Sequence, residues 1–258
     1  MKCVPAKCVC VVLLLVYLGT GAVSAAQIAV AAASDLTFVL TDIAARYEKQ
    51  TGNSVRLAFG SSGNFFAQIE NGAPFDVFFS ADIQYPKQLA AGGLAGAPVV
   101  YGWGRLVLWV PAGSTLDVRR LGMKALSDPS VRRIAIANPA HAPYGRAAVA
   151  ALRSYKLYDG LRDKLVLGEN ISQTLQFVQS GNAQVGILAL ALTSAPSLKD
   201  KGTYWEIPPT SYPSIEQAAV ILTKSSNKKA AQEFLDYLRT PDAQAVLRSY
   251  GLLPSEAP

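Results

Sequence analysis

Sulfur and imidazole are scarce in this chain, and what is present can support little chemistry. The three cysteines, Cys3, Cys8 and Cys10, all fall within the first ten residues, and His141 is the only histidine. Once that first segment is removed, the chain has no thiol for a disulfide, a thiolate metal site or a catalytic nucleophile. A transition-metal cation site built on one imidazole is excluded on the same count. A Ser-His-Asp triad would have to use His141, and no Gly-x-Ser-x-Gly elbow occurs. Basic clusters are small: Arg119-Arg120, Arg132-Arg133 and Lys228-Lys229 have no interleaved aromatics, so they read as solvated surface rather than a nucleic-acid groove. Long apolar runs are missing too. The one uninterrupted run, Cys8 to Leu18, is too short to span about 30 Å of hydrocarbon.

That run has a different use. Lys2 and Lys7 precede it and the small residues of 19–26 follow it, the layout of a secretory signal peptide over residues 1–26. Val23-Ser24-Ala25 or Ser24-Ala25-Ala26 is the expected cleavage triplet. Removing Lys2 and Lys7 leaves 22 basic residues against 18 acidic ones, a mildly basic and scattered balance. The expected product is soluble, exported and free of redox chemistry.

From Gln27 onward strand and helix patterns alternate, which implies largely parallel sheets covered on both faces. Residues 28–33, 54–59 and 76–80 read as strands. Each leads into a helical pattern; Leu36, Val39, Leu40, Ile43 and Tyr47, for example, share one helix face. Strong β formers run from Val99 to Val110, and the pattern resumes with strands at 133–137, 165–167, 184–188 and 215–223. Helices at 228–238 and 241–250 close the chain. The economical architecture is two α/β lobes joined by two crossings: lobe I from 27–107 and 212–258, lobe II from 108–211.

Four strand-to-helix junctions stand out: Ser34-Asp35, Ser61-Ser62-Gly63, Pro143-Tyr144-Gly145 and Asn170-Ile171-Ser172. In open α/β sheets, ligands bind at the carboxyl ends of strands. The first N–H groups of each helix are unpaired and carry the positive end of the helix dipole, so they suit an anion. No Lys or Arg lies in these junctions; Arg146 comes one residue later. An anion there would be held by neutral donors: backbone N–H groups, the hydroxyls of Ser34 and Ser62, and the Tyr144 phenol.

Ala31-Ala32-Ala33-Ser34-Asp35-Leu36, Phe59-Gly60-Ser61-Ser62-Gly63, Gly72-Ala73-Pro74-Phe75-Asp76-Val77, Ser80-Ala81-Asp82, Ala137-Asn138-Pro139 with Ala142-Pro143-Tyr144-Gly145, and Val185-Gly186-Ile187 together resemble the periplasmic molybdate-binding proteins of ABC transporters. The resemblance covers the whole chain after the leader. It implies a two-lobed periplasmic-binding-protein fold with an oxyanion held in the interlobe cleft. Ser34 and Ser62 match the family's two hydroxyl ligands, and Tyr144 and Ile171 match the donors of its second lobe. Molybdenum would thus be met only as molybdate, through its oxygens, with no cofactor. One branch of the family has a tyrosine after its later Gly-Ile-Val; here that place is Ala189, and the phenol is supplied by Tyr144 from the other side. Asp35 is a second departure. Its carboxylate would repel a dianion, so its backbone N–H is expected to face the ligand while its side chain caps the following helix.

The resemblance further implies a monomeric, non-enzymatic receptor that delivers molybdate, or the nearly identical tungstate, to a membrane permease with its ATPase. A receptor for another tetrahedral oxyanion such as sulfate is the near alternative, and one that feeds a sensor would share the site. From a different class, Ser226 and Lys228 fit the Ser-x-x-Lys spelling of an exported serine hydrolase, although they also read as the turn and cap of a terminal helix.

Overall fold

The computed structural model describes residues 26–252, so residues 1–25 of the expected leader lie outside the described residues. Ten strands form two sheets of five. They are β1 Gln27–Ala33, β2 Ser54–Gly60, β3 Val77–Ser80, β4 Val99–Gly104, β5 Leu106–Pro111, β6 Ile134–Ala137, β7 Leu165–Gly168, β8 Val185–Ala189, β9 Gly202–Glu206 and β10 Ile215–Ile221. The first sheet has the order β2-β1-β3-β10-β4 and the second β7-β6-β8-β5-β9. In each, four strands run one way and the fourth in order, β10 or β5, runs against them. Both lobes are thus α/β with mainly parallel strands.

The helices are α1 Thr37–Thr51, α2 Ser62–Glu70, α3 Gln84–Ala91, α4 Val118–Leu121, α5 Pro143–Ser154, α6 Tyr158–Leu161, α7 Ile171–Gln179, α8 Leu190–Thr193, α9 Lys228–Tyr237 and α10 Pro241–Ser249. On α1, Val39, Leu40, Ile43, Ala44 and Tyr47 are buried at i, i+3 and i+4 spacing. Tyr47 meets the rings of Phe234 and Tyr237 on α9 at 5.0 and 5.4 Å, which fastens the last part of the chain to the first lobe.

Two details differ from the expectation. The first crossing lies at Arg105, beside the Gly104 where the run of β formers breaks, so a lobe division at 107/108 falls two residues late. Leu106 and Val107 pair with Ala189 and Leu188 of β8, so they belong to the second sheet. The run from Val99 to Val110 is one stretch of β formers that changes sheet across a single residue, leaving no loop signature. Arg105 pairs with Glu206 at the end of β9, just before the second crossing at 207–214. The second detail is β9 itself, which has no sequence-based counterpart. All five of its residues are half-buried, so it lacks an apolar run or an alternation to mark it.

Candidate functional site

Where the two lobes meet, one small cavity of ≈ 10 Å³, about the share of a single water centre, is lined from both sides. Ala33, Ser34, Asp35, Gly60, Ser61, Ser62 and Ala81 come from the first lobe, and Ala142, Pro143, Tyr144, Asn170 and Ile171 from the second. The structure therefore brings Ser34, Asp35, Ser62, Tyr144 and Ile171 together. All are buried.

Each arrives through a strand-to-helix junction. β1 ends in a single 3-10 turn, Ser34–Leu36, whose Ser34 carbonyl accepts bonds from Thr37 Oγ1 and, across the lobes, from Ser172 Oγ at 2.9 Å. After β2, Ser61 caps α2 by accepting from the Asn64 N–H, so the helix begins at Ser62. Ser62 Oγ accepts from the Ala81 N–H at 3.0 Å, which leaves its own proton for the cavity. On the second lobe, Pro143 occupies the first position of α5, where a missing N–H is harmless, and Tyr144 follows. Asn170 caps α7 by accepting from the Gln173 N–H, and Ile171 opens that helix with an N–H that has no intrahelical partner.

The side chain of Asp35 does something other than capping. The cap of α1 has no side-chain bond, and Asp35 Oδ2 instead accepts from Tyr144 Oη at 3.0 Å and from Gln217 Nε2 at 2.7 Å. Gln217 Nε2 also reaches Tyr144 Oη at 2.9 Å, which closes a triangle beneath the cavity. The reason is position: Asp35 lies in the tight 3-10 turn, two residues before α1, and points down into the lobe seam. Burial pushes its carboxyl up to about 6, against bonds from Gln217, Tyr144 and its own N–H. Burial also raises the Tyr144 phenol well above its usual range, and the nearby Asp35 adds to the effect. Gly104 makes room for this triangle, since a Cβ there would lie 2.2 Å from Tyr144 Oη and 2.8 Å from Gln217 Nε2.

Around the cavity runs a rim of polar contacts between lobes. Arg146 reaches Asp82 and donates to Tyr85 Oη at 3.2 Å, with its guanidinium 5.5 Å from the Tyr85 ring. Its charge is thereby matched on the rim and does not line the cavity. Next to Tyr85 the Gly63 N–H donates to the His141 carbonyl at 2.9 Å, and Ser61 Oγ meets His141 Nδ1 at 2.9 Å. Glu169 approaches His141 Nε2 at 3.5 Å and accepts from Asn64 Nδ2. The Ser61-His141-Glu169 array has the composition of a hydrolytic triad, but its serine is sealed in the lobe seam as a helix cap. A Cβ at Gly63 would lie 2.6 Å from the His141 carbonyl oxygen, so that glycine serves the approach of the lobes. Sequence reasoning missed Gln217, Gly104 and this approach. Only Gln217 leaves a signal, as a lone amide within the apolar strand Ile215–Ile221.

The bacterial extracellular solute-binding protein family matches residues 28–253. This chain belongs to that family. It is 41% identical over 244 residues to the molybdate-binding protein ModA of Azotobacter vinelandii, covering 92% of this chain and 96% of that one. With ModA of Rhodobacter capsulatus it shares 37% over 230 residues, 88% of each chain. A solved structure of the Azotobacter vinelandii periplasmic molybdate-binding protein superposes with a TM-score of 0.84 at 35% identity, covering 89% of this chain and all of that one. The sulfate-binding protein SubI of Mycobacterium tuberculosis, at 15% identity and a TM-score of 0.73, shares the fold. These relatives are binding proteins. Ser226 and Lys228 are both exposed at the start of α9, and the neighbouring Ser225 hydroxyl is spent on Asp76. Among the described residues no helix is long and apolar enough to cross a membrane.

Proposed function

We propose that the chain is an exported receptor that captures molybdate, and equally tungstate, between its lobes and hands it to an ABC permease with its ATPase. The observation that carries this reading is the cavity wall itself. Donors from both lobes meet at four strand-to-helix junctions, and among the lining residues there is no Lys, Arg or His. The ligand set is the Ser34 and Ser62 hydroxyls, the Tyr144 phenol and the backbone N–H groups of Asp35 and Ile171. Hydrogen bonds to a charged partner contribute about 1.5 to 3 kcal/mol each, so five cover the roughly 8 kcal/mol of micromolar binding. Such a ligand set favours a fully deprotonated tetrahedron, because all five of its groups donate and a protonated oxygen would bring one donor more. Closure is a population shift, since both halves of the donor set are satisfied together only when the lobes are shut.

The identity to relatives named for molybdate favours that cargo over sulfate, although the two anions share shape and charge. Titration calorimetry with molybdate, tungstate, sulfate and phosphate tests the proposal. Micromolar or tighter binding of molybdate and tungstate, with sulfate and phosphate much weaker, is the expected result. Silence with molybdate and clear heat with sulfate or an organic ligand overturns it.

A further inference from the structure

Tyr144 cannot serve two acceptors at once. Its hydroxyl has one proton, and in this structure that proton is directed at Asp35 Oδ2, 3.0 Å away. Gln217 Nε2 donates to the same phenol oxygen and to the same carboxyl oxygen, so it takes up acceptor capacity on both and leaves the phenol proton directed at Asp35. While Asp35 is an anion, the phenol is committed to it and has no proton for a ligand in the cavity.

The surroundings of Asp35 are not built for a charge. The residue is 1% exposed, and its Oδ1 has no hydrogen-bond partner among the described residues. Gln217 Oε1, on the residue already bonded to it, is likewise a buried acceptor without a donor. The titratable groups that face it are the phenols of Tyr144 on α5 and Tyr101 on β4, and β10 brings only the neutral Gln217. No charged side chain contributes to its protonation balance, and no cation lines the cavity above it. An isolated buried carboxylate with an unpaired oxygen is strongly disfavoured, and an adjacent dianion disfavours it further.

We infer that the site binds its anion together with one proton, held on Asp35. The inference rests on the oxyanion reading above. A proton on the carboxyl lets the same 3.0 Å contact run in the other direction, from carboxyl O–H to the phenol oxygen. The Tyr144 proton is then free to turn into the cavity. Gln217 stays bonded to both partners throughout and acts as the positioning residue that keeps the phenol oxygen in place. The only bond formed is the O–H of Asp35, whose proton comes from solvent as the lobes close. The cargo is therefore counted as a dianion plus a proton, and Asp35 replaces the missing cation by ceasing to be an anion.

The measurement is calorimetry of the full mature chain with sodium molybdate near pH 8, in buffers of different ionisation enthalpy. The slope of observed heat against buffer ionisation enthalpy counts protons taken up, and a value near one is expected. Between pH 7 and pH 8 the wild-type Kd should rise by up to tenfold, as one coupled proton requires. Asp35→Asn should have no slope, a flat pH profile and tighter binding than the wild type at pH 8. Difference infrared spectroscopy of the unmodified protein gives an independent reading, since molybdate should raise the carbonyl stretch of a protonated carboxyl. Molybdate binding with zero slope and no such band overturns the inference and leaves the oxyanion reading standing. A slope that persists in Asp35→Asn also overturns it. No molybdate heat at any pH from 6 to 8 overturns both.

Discussion

The rim of the cavity and its floor hold the lobes together in opposite ways. The rim uses charge in the presence of water: Arg146 is 39% exposed, and Glu169, beside His141, is 54% exposed. The floor uses neutral or neutralisable groups away from water, with Asp35 and Gln217 wholly buried. Exposed ion pairs contribute about 0 to 1 kcal/mol and are screened by salt, whereas a buried hydrogen-bond network is expensive to leave half-made. The rim can therefore hold the lobes in register but cannot decide what is bound. Under the proposed function, selection belongs to the floor and to the hydroxyls above it.

The comparison breaks most sharply if the lobes are kept from meeting. Gly63→Ala puts a methyl 2.6 Å from the His141 carbonyl oxygen and 2.8 Å from Tyr85 Oη. It should leave each lobe folded while weakening molybdate binding by roughly a hundredfold, about 2.7 kcal/mol, measured by calorimetry. Affinity within threefold of the wild type would show that closure does not need this contact.

Next in size is the stability of the floor. Folded Asp35 titrates at about 6, raised from an unfolded value near 3.8. The folded chain thus keeps a proton that the unfolded chain releases, and the associated stability is complete below about pH 3.8 and lost as pH rises through about 6. Compared with Asp35→Asn, the wild type should lose roughly 2 to 3 kcal/mol between pH 4 and pH 7, visible as several degrees in Tm. Parallel Tm profiles for the two proteins would refute this.

Tyr144→Phe keeps the ring and removes only the hydroxyl. Loss of one charge-assisted bond predicts an affinity drop of about ten- to thirtyfold, or roughly 1.5 to 2 kcal/mol. An unchanged affinity would remove the phenol from the ligand set. The smallest effect belongs to the rim: Arg146→Gln should change affinity less than fivefold, with the difference fading in high salt. A larger, salt-independent loss would move Arg146 from the rim to the site.

Much of this site was legible because it lies where local signals are strong. Ser61 and Asn170 cap helices, Pro143 opens one, and alternating strands and helices place those starts at one edge of each sheet. Ser34, Ser62, Tyr144 and Ile171 could be named from those rules together with the family motifs. Other features depend on partners distant in sequence. Asp35 looks like a helix cap until α5 and β10 supply Tyr144 and Gln217. Gly63 looks like a turn residue, yet its reason is the His141 carbonyl on the other lobe. Gln217 shows as a lone amide in its strand, but its partners Asp35 and Tyr144 are distant in sequence, and it lies beside the register shift between Gln217 and Ala218. The lobe division at 107/108 falls two residues late because β formers continue from β4 into β5 with only Arg105 between them.

Arg105 has a mechanical consequence. It occupies the one-residue link from β4 to β5, and its partner Glu206 ends β9 where the other link begins. If the lobes close as proposed, two links tied to each other in this way would turn about one line more readily than flex separately. Swinging about that line, rather than sliding, would bring the proposed donors of one jaw to those of the other as a set. A cargo too large or too small would then be refused as a whole, in the way a key fails at every pin once one pin is wrong.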